Sequence, residues 1–229
     1  MTTLPLIAPA GDGGERQGES LHLRVYRDLR DGLMAGLYAP GQPLSLRRIA
    51  AAAGTSPMPV RQAVNRLIAE RALVLLPNRT VVVPHLARTS FMELTAVRRS
   101  LEGMAAELAA ERGGEGVVAE LLGINASLRR AIEAGDSTAA LRTNQRFHFC
   151  LYRASASEVI LPLIEALWLQ VGPLIHLSRL RLYTNWDARL HEAAIAALAA
   201  NDPAGVRSAI QADIQDAADN LLRAEVFTS

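Results

Sequence analysis

The chain has 229 residues, half of them hydrophobic, with 24 basic and 23 acidic side chains and one cysteine. This length suits one large or two modest domains that bury a real core. No apolar run approaches the roughly 20 residues of a membrane span, and the N-terminus lacks the basic region and continuous apolar core of a signal peptide. The lone Cys150 cannot form an intrachain disulfide. We therefore expect a cytoplasmic protein with no membrane association.

The arginines are unevenly distributed along the chain. Residues 21–85 hold nine arginines against three acids, whereas residues 86–229 hold fourteen arginines against seventeen acids. Residues 1–20 are rich in glycine, proline and polar side chains, which predicts a disordered tail. A basic segment joined to a mildly acidic one suits polyanion binding by the first and another task for the second. These boundaries divide the chain into 1–20, 21–85 and 86–229.

Three helices are predicted at the start of the basic segment. Apolar spacing predicts the first over 21–37, before the break at Pro40-Gly41. Ser45 is a good N-cap for a short helix over 46–53, which ends at Gly54. Ser56 is a good N-cap for the third helix, and Pro57 follows at the first helical position, where a missing backbone donor is harmless.

The third helix has two contrasting faces. Its apolar stripe, with residues three and four apart, consists of Val60, Val64, Leu67 and Ile68. The opposite face, able to read base edges or phosphates, carries Arg61, Gln62, Asn65 and Arg66. A helix, a glycine-containing turn and a second helix with a polar face form the layout of a helix-turn-helix.

A hairpin is predicted directly after this helix. Two short β-prone runs, 73–76 and 80–83, flank Pro77, Asn78 and Arg79, which would form a basic tip. A hairpin that follows a recognition helix is a wing. The basic segment therefore predicts a winged helix-turn-helix.

From residue 90 onward the strand signals vanish, and helical patterns alternate with Gly-, Asp- and Pro-containing breakers. The predicted helices span 90–112, 115–134, 137–155, 158–180, 186–200 and 203–224. Six helices of this length predict an antiparallel bundle. The expected fold class is mainly α, with an N-terminal winged helix-turn-helix joined to an antiparallel C-terminal helical bundle.

Several of these motifs, in this order and spacing, resemble a known family. The basic segment resembles the DNA-binding domain of GntR-type bacterial repressors in residues 25–33, 38–41, 44–47, 59–61 and 77–79. The helical segment resembles the effector-binding and dimerisation domain, the FCD domain, of the FadR-type branch in residues 94–102, 144–148 and 191–202. The resemblance covers residues 21–225, nearly the whole chain.

The resemblance implies contacts with a double-stranded DNA operator, and Arg47 and Arg61 match contacting positions of the family. The place of the other candidates on the helix N-terminus, the polar face and the wing tip predicts contacts for Ser56, Met58, Gln62, Asn78 and Arg79. The N-terminus of the recognition helix would enter the major groove, and the wing tip would lie in or along the minor groove. Pro57 occupies a position that is often a guanine-contacting arginine in relatives, so its presence should change the operator core or increase the reliance on Arg47 and Arg61.

The resemblance also implies a divalent metal, which many members of this branch bind through one Asp and three His. Carried over to this chain, the four positions are Asn144, His148, His191 and Asp213, so the sequence departs from the pattern twice. An amide oxygen, two imidazoles and a carboxylate suit zinc, with nickel or manganese as alternatives. The alternative is that Asn144 and His148 only form hydrogen bonds within the core.

An effector site is expected in the same bundle. Arg98 is able to bind a carboxylate bidentately, with an ordinary surface pair to Glu102 as the alternative. The expected effector residues are Arg98, Glu102, Tyr152 and Trp168. Tyr152 and Trp168 would line the same cavity, as would His176, or these three would serve only as core. The expected effector is a small molecule, a carboxylic acid.

The expected function is a homodimeric, ligand-responsive transcription regulator that binds a palindromic operator, and the family resemblance favours a repressor. Two other classes compete with it. The bundle would be a metal-dependent enzyme tethered to a DNA-binding module, or a dimerisation module without a ligand. The sequence has no H-E-x-x-H motif and no Ser–His–Asp spacing, so we expect no enzymatic activity.

Overall fold

The computed structural model describes residues 20–112, 115–181, 188–224 and 227. The predicted tail, apart from Ser20, lies outside the described residues, as do the Gly113-Gly114 break and the predicted helix start at Trp186. The described part contains nine helices: α1 (Leu21–Met34), α2 (Leu46–Ala52), α3 (Pro57–Ala69), α4 (Arg88–Arg112), α5 (Glu115–Glu133), α6 (Ser137–Ala154), α7 (Ile160–Arg181), α8 (Arg189–Ala199) and α9 (Pro203–Arg223). It also contains three short strands: β1 (Pro43–Leu44), β2 (Val74–Leu75) and β3 (Val81–Val82). The predicted fold class is confirmed.

The first helix ends three residues earlier than its apolar pattern predicts. Gly36 adopts a φ of 67°, and the backbone N–H of Leu37 donates to the carbonyl of Gly32. A residue in the left-handed region just past a helix terminates it, and glycine adopts that conformation most readily. Leu37 and Tyr38 are nevertheless buried, so their apolar character reflects core packing beyond the helix.

The next two helices form the predicted helix-turn-helix. Ser45 caps α2, because its hydroxyl accepts a hydrogen bond from the backbone N–H of Arg48 at 3.4 Å. Gly54 occupies the turn with a φ of 62°. Ser56 stands at the N-cap position of α3 before Pro57, but its side chain accepts no capping hydrogen bond, contrary to the prediction. The backbone turn and Pro57 are therefore enough to start the recognition helix.

The wing is part of a three-stranded antiparallel sheet in the order β1-β3-β2. The hairpin pairs Val74 with Val82 and Leu75 with Val81, close to the predicted runs. Pairing of Leu44 with Val81 adds β1, a strand that the sequence does not predict. A two-residue strand has no alternating pattern of its own, so only the fold reveals it.

Helices α4 to α9 form the bundle, with bounds within two residues of those predicted wherever both ends are described. Asp136 caps α6 by accepting from the Ala139 N–H, and Asp202 caps α9 by accepting from the Gly205 N–H. The short connections make α5 and α6, and α8 and α9, adjacent antiparallel pairs. Helix α4 packs along α9 and also contacts α6 and α7.

Helix α7 lies between the bundle and the winged helix. Among the described residues it is the helix long and apolar enough, by length and composition, to cross a membrane, over Ile160–Leu177. In this fold it is a core helix, since Ile164 and Trp168 are fully buried and Glu165 pairs with Arg30 of α1 at 2.6 Å. The largest core cluster contains residues of both the winged helix and the bundle.

Candidate DNA-reading face and metal centre

The recognition helix α3 presents the two faces that its sequence predicts. Val60, Val64 and Leu67 are buried in the core of the winged helix-turn-helix of residues 21–85, the head of the molecule. Met58, Arg61 and Gln62 point to solvent, and Met58 is 65% exposed. An exposed methionine at the N-terminus of a helix is available for apolar contact with a base.

Arg66 differs from the other polar residues of this face because it already has partners. Its guanidinium lies 3.9 Å from the ring centroid of Tyr26 and its Nε donates to Glu70 at 3.0 Å. The Tyr26 hydroxyl donates to the same carboxylate at 2.8 Å. Arg66 thus ties α3 to α1, whereas Arg47 on α2 and Arg61 on α3 remain exposed on the head.

The wing tip is held in a tight turn. The Asn78 side-chain oxygen accepts from the Thr80 N–H at 3.0 Å, and the Arg79 N–H donates to the Leu76 carbonyl at 2.9 Å. Arg79 has a φ of 64°, in the left-handed region that a non-glycine residue adopts at a cost. Asn78 and Arg79 are both exposed, as the predicted wing tip requires.

Three of the four predicted metal-site residues converge from three helices. His148 comes from α6, His191 from α8 and Asp213 from α9, and their candidate ligand atoms all lie within 4.8 Å of one another. The Nε2 atoms of His148 and His191 lie 3.3 and 3.8 Å from the two carboxylate oxygens of Asp213. Tetrahedral zinc ligands at about 2.0–2.2 Å from the metal would lie about 3.4 Å apart. The cluster therefore approaches the dimensions of a metal site.

The surroundings shift the pKa of two of these groups, His191 and Asp213. Burial lowers the pKa of His191 to about 4, although Asp213 opposes the shift. Burial raises the pKa of Asp213, but hydrogen bonding from His148 and the nearby positive charges outweigh it, so the net pKa is lowered. In the described part of the molecule, neither ring nitrogen of His191 has a hydrogen-bond partner. A buried imidazole with orphaned nitrogens beside a carboxylate fits a bound divalent metal.

His191 is oriented by stacking. Its ring lies parallel to Phe147, with centroids 3.8 Å apart and an interplanar angle of 5°. The two histidine rings meet edge-on at 5.1 Å. Asn144, the fourth predicted ligand, lies one turn before His148 on α6 and has a half-buried side chain. Its role as a ligand stays a prediction.

The four predicted effector residues lie together beside His148. Arg98 pairs side-on with Glu102, with its Nε and Nη2 at 2.6 and 3.3 Å from the two carboxylate oxygens. The Arg98 guanidinium also lies 5.0 Å from the Trp168 ring centroid. Glu102 is fully buried, so this pair is neither the exposed surface pair nor the free arginine that the sequence allowed.

Two contacts of Tyr152 beside the metal donors were not predicted from the sequence. The Tyr152 hydroxyl donates to Glu102 at 2.6 Å and also lies 3.0 Å from Nδ1 of His148. The His148–Tyr152 spacing of four residues was a usable signal, since such residues face one another on a helix. His176 lies 2.8 Å from the Gly36 carbonyl oxygen, at the junction of α7 and the winged helix.

A basic winged helix-turn-helix joined to a helical bundle with clustered metal donors defines a class of DNA-binding regulators. The family "Bacterial regulatory proteins, gntR family" matches residues 21–83, and the FCD domain matches residues 93–216. The chain belongs to the gntR family of bacterial regulatory proteins and carries the FCD domain that the sequence predicts.

Similar proteins are regulators as well. The HTH-type transcriptional regulator McbR of Escherichia coli (strain K12) is 33% identical over 163 residues, covering 71% of this chain and 74% of McbR. The solved structure of E. coli McbR/YncC superposes with a TM-score of 0.83 and 30% identity, over 90% of this chain and 99% of that chain. A putative GntR regulator from Rhodococcus sp. RHA1 gives a TM-score of 0.74 at 25% identity, over 90% of this chain and 99% of that chain.

These relationships decide between a transcription regulator and a metal-dependent enzyme tethered to a DNA-binding module. The chain is a transcriptional regulator and not an enzyme, as predicted, because its family and relatives are regulators. The helix-turn-helix implies DNA binding, and the FCD domain implies a small-molecule effector. FCD domains typically bind metal, which agrees with the clustered donors of His148, His191 and Asp213.

Proposed function

We propose that this protein is a cytoplasmic, homodimeric repressor that releases or binds a palindromic operator in response to a small carboxylic acid. Residues 21–85 form the DNA-binding domain and residues 86–229 the effector-binding and dimerisation domain. The observation that carries the proposal is the exposed Arg61 face of α3 in the same chain as a buried cluster of metal donors. Repression is supported by a relative from Paenarthrobacter nicotinovorans, a probable D-xylose utilization operon transcriptional repressor, 31% identical over 166 residues.

The metal of this site is zinc in our proposal, with nickel or manganese as alternatives. Two imidazoles and one carboxylate suit these borderline cations better than calcium or magnesium, which prefer oxygen ligands. Asn144 supplies a fourth ligand through its amide oxygen. A bound metal would act as a Lewis acid that holds a carboxylate or hydroxyl oxygen of the effector.

The effector lies beside the metal, next to Arg98, Glu102, Tyr152 and Trp168. Support comes from Trp168, which is 1% exposed and whose indole N–H has no hydrogen-bond partner among the described residues. A buried unpaired donor costs about 1–3 kcal/mol, so a ligand oxygen that accepts from it would gain binding energy. Arg98 contributes positive charge over the indole face, although Glu102 already neutralises part of that charge.

Helix α7 connects the effector site to the DNA-binding head. Trp168 lies beside His148, with ring centroids 5.4 Å apart, while Gly172 and His176 of the same helix touch the end of α1. A shift of α7 caused by the effector would therefore move the head relative to the bundle. Effector affinity and DNA affinity are then reciprocally coupled.

The DNA half of the proposal is tested by Arg61→Ala. The operator is first selected from a random double-stranded DNA library with the wild-type dimer, and affinities are then measured at physiological salt. Because a bidentate arginine–guanine pair contributes about 1–3 kcal/mol of discrimination, we expect Arg61→Ala to lose specific binding, by about tenfold or more in affinity. The fold and the dimer should remain intact, since Arg61 is exposed.

A matched control removes the same charge from the bundle. Arg130 is exposed on α5 and contacts Ser127 of its own helix. Arg130→Ala should bind the selected DNA as the wild type does. Equal affinity of Arg61→Ala and wild type for the selected operator would mean that α3 is not placed in the major groove as proposed.

A further inference from the structure

A continuous hydrogen-bond chain runs from Arg98 to the candidate metal ligand His148. The Arg98 guanidinium donates to both oxygens of Glu102, the Tyr152 hydroxyl donates to Glu102 at 2.6 Å, and Tyr152 in turn lies 3.0 Å from Nδ1 of His148. Glu102 and Tyr152 are fully buried and His148 is 2% exposed. Water therefore does not compete for these groups, and their protons can be assigned from the network.

The hydrogen-bond chain requires a proton on Nδ1 of His148. A carboxylate only accepts hydrogen bonds, so the single hydroxyl proton of Tyr152 is used on Glu102. The Tyr152 oxygen must then accept from His148, which places a proton on Nδ1. When a metal is bound, its ligand would be the lone pair on Nε2, the nitrogen that is 3.3 Å from Asp213, and the Nδ1 proton would remain for Tyr152. Without a metal, Asp213 accepts a hydrogen bond from Nε2.

We infer that Glu102 and Tyr152 are positioning residues of the metal site, which hold the Nδ1–H of His148 and so fix the ring orientation that presents Nε2 to the cation. Arg98 donates to both oxygens of Glu102 and so fixes the position of that carboxylate. The inference rests on the proposed metal site and adds a role for residues that the sequence predicts at the effector site. Outer partners of this kind change metal affinity by about 10–100-fold when they are removed.

His191 provides an internal contrast to His148. Its orientation comes from stacking on Phe147, and within the described residues its ring nitrogens have no hydrogen-bond partner. Stacking fixes the plane of the ring but leaves the choice of tautomer open. The hydrogen-bond chain therefore acts on only one of the two imidazoles, and its loss should alter the nitrogen spectrum of His148 without altering that of His191.

The test is Tyr152→Phe, which removes one oxygen and keeps the ring. Zinc affinity is measured by competition with a chromophoric chelator, and the Nδ1–H of His148 is followed by ¹H–¹⁵N NMR of the zinc-loaded protein. We expect zinc binding to weaken about 10–100-fold and the Nδ1–H proton, which has lost its acceptor, to exchange faster with water. Tyr26→Phe is the matched control, because Tyr26 also donates to a glutamate, Glu70, but does so in the head. It should leave both readouts unchanged.

Two further variants separate the possible failures. If Tyr152→Phe keeps wild-type zinc affinity and Nδ1–H exchange while His148→Ala loses zinc, the positioning role is wrong and the metal site stands. If His148→Ala also keeps its zinc, the proposed metal site itself is wrong. Should Tyr152→Phe fail to fold, Glu102→Gln replaces it. The glutamine amide can donate to the Tyr152 oxygen and displace the hydrogen bond from His148, so we expect zinc binding to weaken there too, and an unchanged zinc affinity overturns the inference.

Discussion

At the residue scale, Arg79 has a backbone conformation that is unfavourable for residues other than glycine. Its φ of 64° places it in the left-handed region, at the exposed tip of the wing. That conformation costs a non-glycine residue about 1–2 kcal/mol, and glycine adopts it freely. An arginine at this turn is thus expected to contribute something other than stability, and a phosphate contact from the wing is the contribution that we propose.

Arg79→Gly should have opposite effects on stability and on DNA binding. We predict a more stable protein, because the strain is relieved, by up to about 1 kcal/mol after the greater freedom of glycine in the unfolded chain is included. Operator affinity should fall and become less sensitive to salt, since a phosphate contact is lost. Thermal unfolding and DNA titrations at two salt concentrations measure both effects.

Arg71→Gly is the control, because Arg71 is also exposed and has a φ of 60°, at the end of α3. It should give the same gain in stability with a smaller change in DNA affinity. If Arg79→Gly binds the operator with unchanged affinity and salt dependence, the wing tip does not contact DNA.

Single residues of the site differed in how far the sequence could place them. The exposure of Arg61 followed from helical periodicity alone. Clustering of His148, His191 and Asp213 did not, because the three residues lie on separate helices and only the family resemblance linked them. The burial of the Arg98–Glu102 pair could not be predicted either, because ion pairs with a four-residue spacing also form on exposed helix faces.

At the element scale, the contact between α1 and α7 depends on two glycines. A Cβ at Gly172 would overlap the Leu33 carbonyl oxygen and lie 2.9 Å from the Met34 Cα, and a Cβ at Gly36 would lie 2.9 Å from the Gly172 carbonyl oxygen. Backbone therefore packs directly on backbone where the head meets the bundle. The Arg30–Glu165 pair and the His176–Gly36 hydrogen bond lie at the same junction.

Gly172→Ala should push the head away from α7. We predict a loss of stability of about 1–3 kcal/mol, as is usual for overpacking, together with a change in operator affinity although Gly172 is on the bundle side of the junction. Zinc content should stay at the wild-type level, because the metal donors are on α6, α8 and α9. Thermal unfolding, DNA titration and metal analysis provide the three readouts.

Gly123→Ala on α5 is its matched control. A Cβ at Gly123 meets nothing within 4 Å, so alanine should be neutral or stabilise the helix by about 0.4–1 kcal/mol. If Gly172→Ala weakens the fold but leaves operator affinity at the value of Gly123→Ala, the α1–α7 junction does not couple the two parts.

The elements themselves were largely predictable, and the exceptions have physical reasons. Strong caps such as Asp136 and Asp202 gave the starts of α6 and α9. The end of α1 was misplaced because Leu37 continues the apolar spacing while Gly36 has already turned the chain. Strand β1 was missed because its two residues acquire their structure from pairing with β3, a contact distant in sequence.

At the scale of the whole molecule, the head and the bundle share one hydrophobic core. The largest cluster includes Leu33 and Val60 from the head together with Phe147 and Trp168 from the bundle. A continuous core transmits displacement between its parts more readily than a flexible linker would. We therefore predict that a change beside Trp168 reaches the DNA-binding head through α7.

The central claim is a dimeric regulator with one metal site per chain, and native mass spectrometry tests it most directly. Wild-type protein and His148→Ala are incubated with zinc, freed of excess metal and measured without chelators. We predict a wild-type dimer that carries one zinc per chain and a His148→Ala dimer that carries none. A wild-type protein that is monomeric, or that retains no metal after loading, would contradict the account.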